Sequence, residues 1–292
     1  MRWMITDSGL GGLSVCAGLE QALSNNKQGR GIELLYINAT PDDRIGYNSL
    51  KTQQERIHLF DRFLKAAYSR YTPDEIVIAC NTLSVIYEAT DFARQAKLQV
   101  KGIVDAGVSL CNSSFAEHPD YHLIIFATET TTEAGTYPRL ISADPSVVVA
   151  QECPELAHAI SNDASGEACK KLLKIYVKEA MDHFHHKPQH VFAFLGCTHY
   201  GYQAEIFKSL IEKQGCQCQI LNPNDLLVEQ LVSTIPSSTS VDETPLSIRF
   251  VSRYAIPQAE IDSMESYLED TAPLTLAALH GQIVVPDLFS SI

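Results

Sequence analysis

This 292-residue chain is predicted to be an α/β protein made of two similar parallel-sheet domains that face each other across a cleft, and three observations predict it. Short β-rich runs alternate with helical patterns along most of the sequence. Those runs are near-continuously apolar, as strands buried on both faces of a parallel sheet are. A third signal is a repeated phrase, apolar strand then Cys then polar turn, which occurs as "IVIACNTLS" (76–84) and again as "FAFLGCTHY" (192–200).

In chain order, "RWMIT" (2–6) is the first strand; it runs into Asp7-Ser8-Gly9 and a helical pattern at 12–24. "IELLYI" (32–37) and "EIVIA" (75–79) follow, with helical patterns at 50–69 and 82–96. "QVKGIV" (99–104), "HLIIFA" (122–127) and "SVVVA" (146–150) bracket a helical stretch at 106–116. A long pattern at 155–186, broken near 162–166, leads to "VFAFL" (191–195). Helices at 202–214, 223–234 and 257–268 then alternate with strands at 218–221 and 247–251, while "SSTS" (237–240) reads as a loop. Right-handed crossovers place the strand C-terminal ends along one edge, where open α/β sheets bind ligands. The residues at those ends are small and polar: Asp7-Ser8-Gly9, Cys80-Asn81-Thr82, Thr128 to Thr132, and Cys197-Thr198-His199. Each can cap a helix and offer N–H groups and hydroxyls to an anion. The division read from the sequence is a first domain of 1–97 with 209–292 and a second of 98–208.

Composition narrows the function. With 35 acidic against 22 basic residues the chain carries a formal charge of −13, so nucleic-acid and membrane-surface binding are not expected. No apolar run approaches the roughly 20 residues of a spanning helix. "MRWMITDSGLGG" enters a strand at once, with no signal-peptide pattern, so a cytoplasmic location is expected. Eight scattered cysteines in such a chain read as reduced thiols rather than a disulfide framework. Cys16, Cys111 and Cys169 fall inside amphipathic helical patterns as small buried residues. Cys216 and Cys218 form a lone C-x-C, which reads as strand and turn rather than zinc site. The cluster "HFHHKPQH" (183–190) closes a helix before Pro188, where histidines meet the negative end of the dipole, so no metal is expected there.

Cys80 and Cys197 stand apart, because each ends an apolar strand run and opens a polar turn. A free thiol titrates near pH ~8.5 and needs activation to act as nucleophile or base. Two such thiols could form a redox pair, a nucleophile with a spare, or two bases on opposite faces of one substrate. Redox pairs are usually close in sequence, as C-x-x-C, and a hydrolase leaves one thiol unexplained. Two facing bases suit one need: removing a proton from one face of a stereocentre and returning one to the other.

"DSGLGGLSV" (7–15), "ACNTLS" (79–84) and "LGCTHY" (195–200) closely resemble, in order and spacing, three signature segments of the glutamate racemases. The resemblance implies cofactor-independent inversion of L- and D-glutamate, feeding peptidoglycan synthesis, with no pyridoxal phosphate or metal. It makes Cys80 and Cys197 the catalytic thiols and Asp7 and His199 their partners. Ser8, Asn81, Thr82 and Thr198 correspond to residues that hold the substrate's amino and carboxylate groups. Thr128 and Thr131 match a segment at the side-chain end, as Tyr47 in "RIGYNS" does for a distal turn. The partner is a small amino acid, and a homodimer is compatible with the resemblance. Departures fall at that turn, at Ser161 where the family commonly carries a glutamate, at "NPN" (222–224), and at Glu129. They leave aspartate or a broader amino-acid set as an alternative substrate, and a catalytically weak binding protein as a second alternative. Residues from "TAPLTL" onward read as an extension.

Overall fold

The computed structural model describes residues 1–24, 29–235 and 244–290, so the loop expected at 237–240 lies outside the described residues. The first part of the chain runs β1 (Arg2–Asp7), α1 (Leu13–Ser24), β2 (Glu33–Asn38), α2 (Gln53–Tyr71), β3 (Glu75–Ile78), α3 (Asn81–Tyr87), α4 (Asp91–Gln95) and β4 (Gln99–Gly102). The middle comprises α5 (Ile103–Glu117), β5 (His122–Ala127), α6 (Glu129–Glu133), α7 (Thr136–Leu140), β6 (Val148–Glu152), α8 (Leu156–Asp163), α9 (Glu167–Asp182), β7 (His190–Gly196), α10 (Ala204–Glu212) and β8 (Gln217–Leu221). The chain closes with α11 (Pro223–Ser233), β9 (Ser247–Ser252), α12 (Gln258–Leu268), α13 (Pro273–His280) and β10 (Ile283–Val284).

Local chemistry sets several boundaries. Thr52 and Glu55 form a reciprocal capping box that starts α2. The helical pattern at 82–96 divides in two because the Thr90 hydroxyl accepts from Ala93 N–H, at 3.1 Å, and starts α4.

All strands pair in parallel, in a six-stranded sheet ordered β10-β9-β2-β1-β3-β4 and a four-stranded sheet ordered β6-β5-β7-β8. Stripped of β9 and β10, both sheets have one topology: the first strand of each unit is flanked by its second and third, with the fourth outside the third. The strand order reverses beside β1 in one sheet and beside β5 in the other, and ligand crevices form at such switch points. Cys80 therefore follows the third strand of one unit and Cys197 the third strand of the other. The repeated phrase in the sequence reflects this repeat of topology.

The sheets divide the chain at different points from those read in the sequence. β4, assigned there to the second domain, pairs with β3, and β8, assigned to the first, pairs with β7. Sheet membership supports two units, 1–102 with 222–290 and 103–221, and we propose these as the domains. One buried apolar cluster spans both units, with Leu19 of α1, Leu227 and Leu231 of α11, and Ile124 and Ala193 of the second sheet among its members.

The C-terminal residues are part of the first unit, not an appendage. β10 extends its sheet, and Leu288 and Phe289 are buried in its core against Phe60 and Phe63. A buried carboxylate ties α13 down: Glu20 of α1 accepts from Leu274 N–H, Thr275 N–H and the Thr275 hydroxyl, each at 2.8 Å. The two N–H groups are orphan donors of a helix start, and the carboxylate also faces the positive end of the dipole. Glu20→Ala leaves three donors unpaired in a buried place, so chemical denaturation should show a loss of roughly 3 kcal/mol, with Glu20→Gln losing less. No described helix is long and apolar enough to cross a membrane.

Candidate active site

The four polar strand ends meet around one cavity of about 320 Å³ between the units. Asp7, Ser8, Tyr47, Cys80, Asn81, Thr82, Thr128, Cys197, Thr198 and His199 all line it. Thr131 does not line the cavity; it lies one hydrogen bond behind, with its hydroxyl 3.2 Å from that of Thr128.

On the first unit, the turn after β1 is fixed by two side-chain hydroxyls: Tyr36 donates to the Gly9 carbonyl at 2.6 Å and Thr40 to that of Ser8 at 2.7 Å. This aims Ser8 Oγ at Cys80 Sγ, 3.1 Å away. Cys80 is at the start of α3, only 4% exposed, and burial pushes its thiol up to about 12. The charge of Asp7 adds to that rise, while hydrogen bonds from Ser8 and from Leu83 N–H oppose it. Asp7 is also buried, and burial raises it to about 6. Hydrogen bonds from Thr198, from the Cys80 thiol and from the N–H groups of Ser8 and Gly12 hold it below where burial alone would put it.

On the second unit, Cys197 precedes a 3₁₀ turn at Thr198–Gln203 and is buried. Burial holds its thiol well above the ordinary range, and Asp7 adds to the effect. His199 Nδ1 lies 3.8 Å from Cys197 Sγ, and its Nε2 lies 2.9 Å from Ser161 Oγ. Burial lowers the imidazole to about 4, so it is neutral at physiological pH.

The units meet through these same residues. Thr198 commits its hydroxyl to Asp7 at 2.8 Å, and Asn224 donates to both Ser14 Oγ (2.8 Å) and the Thr198 carbonyl (3.1 Å). Asn224 is the last residue of the divergent "NPN", so that turn keeps a bridging role. On the opposite side of the cleft, Thr82 and Thr128 share a hydrogen bond of 2.9 Å, and Thr130 donates to Asn48 at 2.7 Å. The glycines of "GLGG" make the approach possible. A Cβ at Gly11 would lie 2.3 Å from Thr198 Oγ1 and 2.5 Å from His199 Nδ1, and one at Gly12 would lie 2.8 Å from Asp7 Cβ.

Among the described residues of the cavity lining, two donors are buried and unpartnered, the Tyr47 hydroxyl and Asn81 Nδ2. A buried unpaired donor is costly, so both are suited to a ligand acceptor. Two residues that no sequence pattern singles out hold them. Tyr137 donates to Asn81 Oδ1 at 2.5 Å, turning Nδ2 away as the free donor. The buried Arg56 donates to the Tyr47 and Leu50 carbonyls at 3.2 and 3.0 Å and pairs with Glu133 of the other unit at 3.0 Å. Cys153, after β6, is a third thiol on the cavity wall; its place at a strand end was a signal that sequence reading could have used. Glu129 also lines the cavity, with Asp42, Asp43, Glu155 and Glu260 further along the wall; Arg44 and His158 are the basic side chains there. The histidines at 183–190 lie away from this cavity, and no His, Cys, Asp or Glu cluster fit to hold a metal occurs among the described residues. Cys16, Cys111 and Cys169 are buried, as the helical patterns imply, and all eight cysteines are free.

A glutamate racemase of Sulfurihydrogenibium sp. strain YO3AOP1 is 30% identical over 235 residues, covering 78% of this chain and 80% of its own. The chain belongs to the glutamate racemase family. The glutamate racemase of Ectopseudomonas mendocina strain ymp is 28% identical over 214 residues, covering 71% of this chain and 73% of its own. No protein-family model matches the chain. Among solved structures, a glutamate racemase of Bacillus anthracis superposes with a TM-score of 0.72 at 17% identity, covering 92% of this chain and 94% of its own, which shows the shared fold. The Francisella tularensis glutamate racemase, solved in complex with D-glutamate, gives 0.67 at 25% identity, covering 92% and 93%. The relatives are thus named as amino-acid racemases, and this two-sheet α/β architecture is theirs.

Proposed function

We propose that this glutamate racemase family member interconverts L- and D-glutamate by proton transfer between two thiols, without pyridoxal phosphate or metal. The observation that carries the reading is the placing of Cys80 and Cys197 at equivalent strand ends of two repeated sheets on one cavity, each with its own polar partner. In this reading the product supplies peptidoglycan synthesis in the cytoplasm.

Both thiols are protonated at rest, so one must lose its proton before reaction. Asp7 accepts from Cys80 and is the group to take that proton. Without a neighbouring cation the transfer is strongly uphill; the substrate ammonium supplies the compensating charge beside the new thiolate. Cys80 then removes the α-proton from one face, and Cys197 gives its thiol proton to the other. The reverse reaction starts from the thiolate left on Cys197. Ser8, Asn81 and Thr82 hold the α-carboxylate and amino group, Thr198 orients Asp7, and burial of the site strengthens every hydrogen bond to the developing carbanion. Tyr47 and Thr128 are the donors for the distal carboxylate. Formation of D-glutamate from L-glutamate, followed by circular dichroism, tests the reading; inversion of aspartate but not glutamate would replace the substrate.

Glu129 is an odd neighbour for a dicarboxylate, since its charge opposes a second carboxylate by an energy that grows as water is excluded. Glu129→Gln is therefore expected to raise kcat/KM for glutamate a few-fold. Tyr47→Phe removes one hydroxyl donor and should lower kcat/KM about tenfold. Steady-state kinetics on the two variants reads both effects.

A further inference from the structure

The hydrogen bond between Ser161 and His199 gives the second thiol a proton route that the reading above does not assign. Ser161 lies on α8, buried, with its side chain on the cavity wall. Its hydroxyl and the Cys197 thiol are the two polar contacts of the imidazole among the described residues, at 2.9 and 3.8 Å, one on each ring nitrogen. The ring lies close against the glycine turn after β1. A Cβ at Gly9 would come within 3.1 Å of Cε1 and one at Gly11 within 2.5 Å of Nδ1. A serine hydroxyl donates and accepts, whereas an ionised carboxylate only accepts and would hold a proton on Nε2 permanently.

We propose that Ser161 is a positioning residue which, through His199, carries the proton of Cys197 to and from the cavity. It rests on the two-thiol reading and completes it: Asp7 serves Cys80, and the His199–Ser161 pair serves Cys197. In the outward step the Cys197 S–H proton passes to Nδ1, Nε2 passes its proton to Ser161 Oγ, and the serine hydroxyl proton passes to a cavity water. Cys197 is left as thiolate facing Nδ1–H with the substrate ammonium as its compensating charge, the ring is neutral before and after, and the water passes the extra proton on to solvent. The inward step is the reverse. The lowering of His199 by burial suits this role, because the ring never has to store the charge. The titratable groups facing the relay are Asp7, Cys80, Cys153 and Tyr200 around Cys197, and His158 of α8 beside the ring.

The test uses Ser161→Ala, Ser161→Thr and Ser161→Glu in the full chain labelled with [¹⁵N]histidine. Since a racemisation has an equilibrium constant of one, kcat/KM must change equally in both directions. Ser161→Ala should lower it about tenfold or more, with the two directions diverging in kcat and KM. Ser161→Thr should restore it. Ser161→Glu should add an acid limb in the histidine range, because a carboxylate beside the ring stabilises imidazolium. The ¹⁵N shifts of His199 give a readout that needs no turnover: averaged between tautomers in the wild type, and fixed with the proton on Nε2 in Ser161→Glu. A wild-type rate and pH profile in Ser161→Ala would overturn the relay. If the wild type itself does not racemise, the two-thiol reading falls, and the relay falls with it only when the wild-type shifts report one fixed tautomer.

Discussion

Alanine at Cys80 or at Cys197 is expected to lower glutamate racemisation by about three orders of magnitude or more, since each removes the proton carrier on one face of the α-carbon. Either loss should be as complete as the double replacement, because a racemase with one working face inverts nothing. The controls are within the same chain. Cys16, Cys111 and Cys169 are as buried as the site thiols but touch no part of the cavity. Their alanine variants should lower stability by about 1–2 kcal/mol, as small core truncations do, and leave kcat near the wild-type value. Racemisation at the wild-type rate by either single-site variant would remove the two-base mechanism. A uniform loss across all five would point to misfolding instead, and thermal unfolding of each variant separates the cases.

The second large effect concerns Asp7, whose activity and stability consequences have opposite signs. Its carboxyl titrates at about 6 in the folded chain, against 3.8 for an ordinary aspartate, because burial disfavours the anion. For activity, kcat/KM should fall as pH drops through about 6, since protonated Asp7 no longer accepts from Cys80. Asp7→Asn should lose roughly 10²–10⁴-fold, and its residual rate should lack that limb. For stability, the folded state binds the proton more tightly than the unfolded state. The contribution of Asp7 to stability is therefore greatest below about pH 4, falls as pH rises from about 4 to about 6, and is level above that. The fall is on the order of 3 kcal/mol. Asp7→Asn is free of that fall, so at pH 7 it should be more stable than the wild type while being nearly inactive, an exchange of stability for function typical of buried catalytic charges. Urea unfolding at pH 4.5 and pH 7.5, beside a pH–rate profile, checks both signs.

Much of this site could be read from the sequence because its polar lining stands at strand ends, and strand ends are visible as breaks in apolar runs. Cys80, Cys197, Asp7 and His199 all occupy such breaks and all reach the cavity. What could not be read depends on partners distant in the chain. Arg56 is one polar residue on an amphipathic helix until Glu133, 77 residues on, and the Tyr47 carbonyl come to either side of it. Tyr137 sits in a short helix with no periodic signal, and its role appears only when Asn81 lies against its hydroxyl. Strand pairing was equally hidden: a parallel strand with a long crossover can join either neighbour, so β4 and β8 gave no sign of which sheet would take them. The C-terminal segment was underestimated because α13 and β10 are too short for a clear pattern, and Leu288 and Phe289 are buried from an irregular stretch.

The most direct measurement of the central claim is ¹H NMR of L- and D-glutamate in D₂O with the wild-type chain, dialysed against a strong chelator and given no pyridoxal phosphate. Two facing thiols predict loss of the α-proton signal from either enantiomer, deuterium at the α-carbon of the product, and an equal final mixture of the two. No exchange from either enantiomer, or exchange that returns only when a metal or pyridoxal phosphate is added, would contradict it.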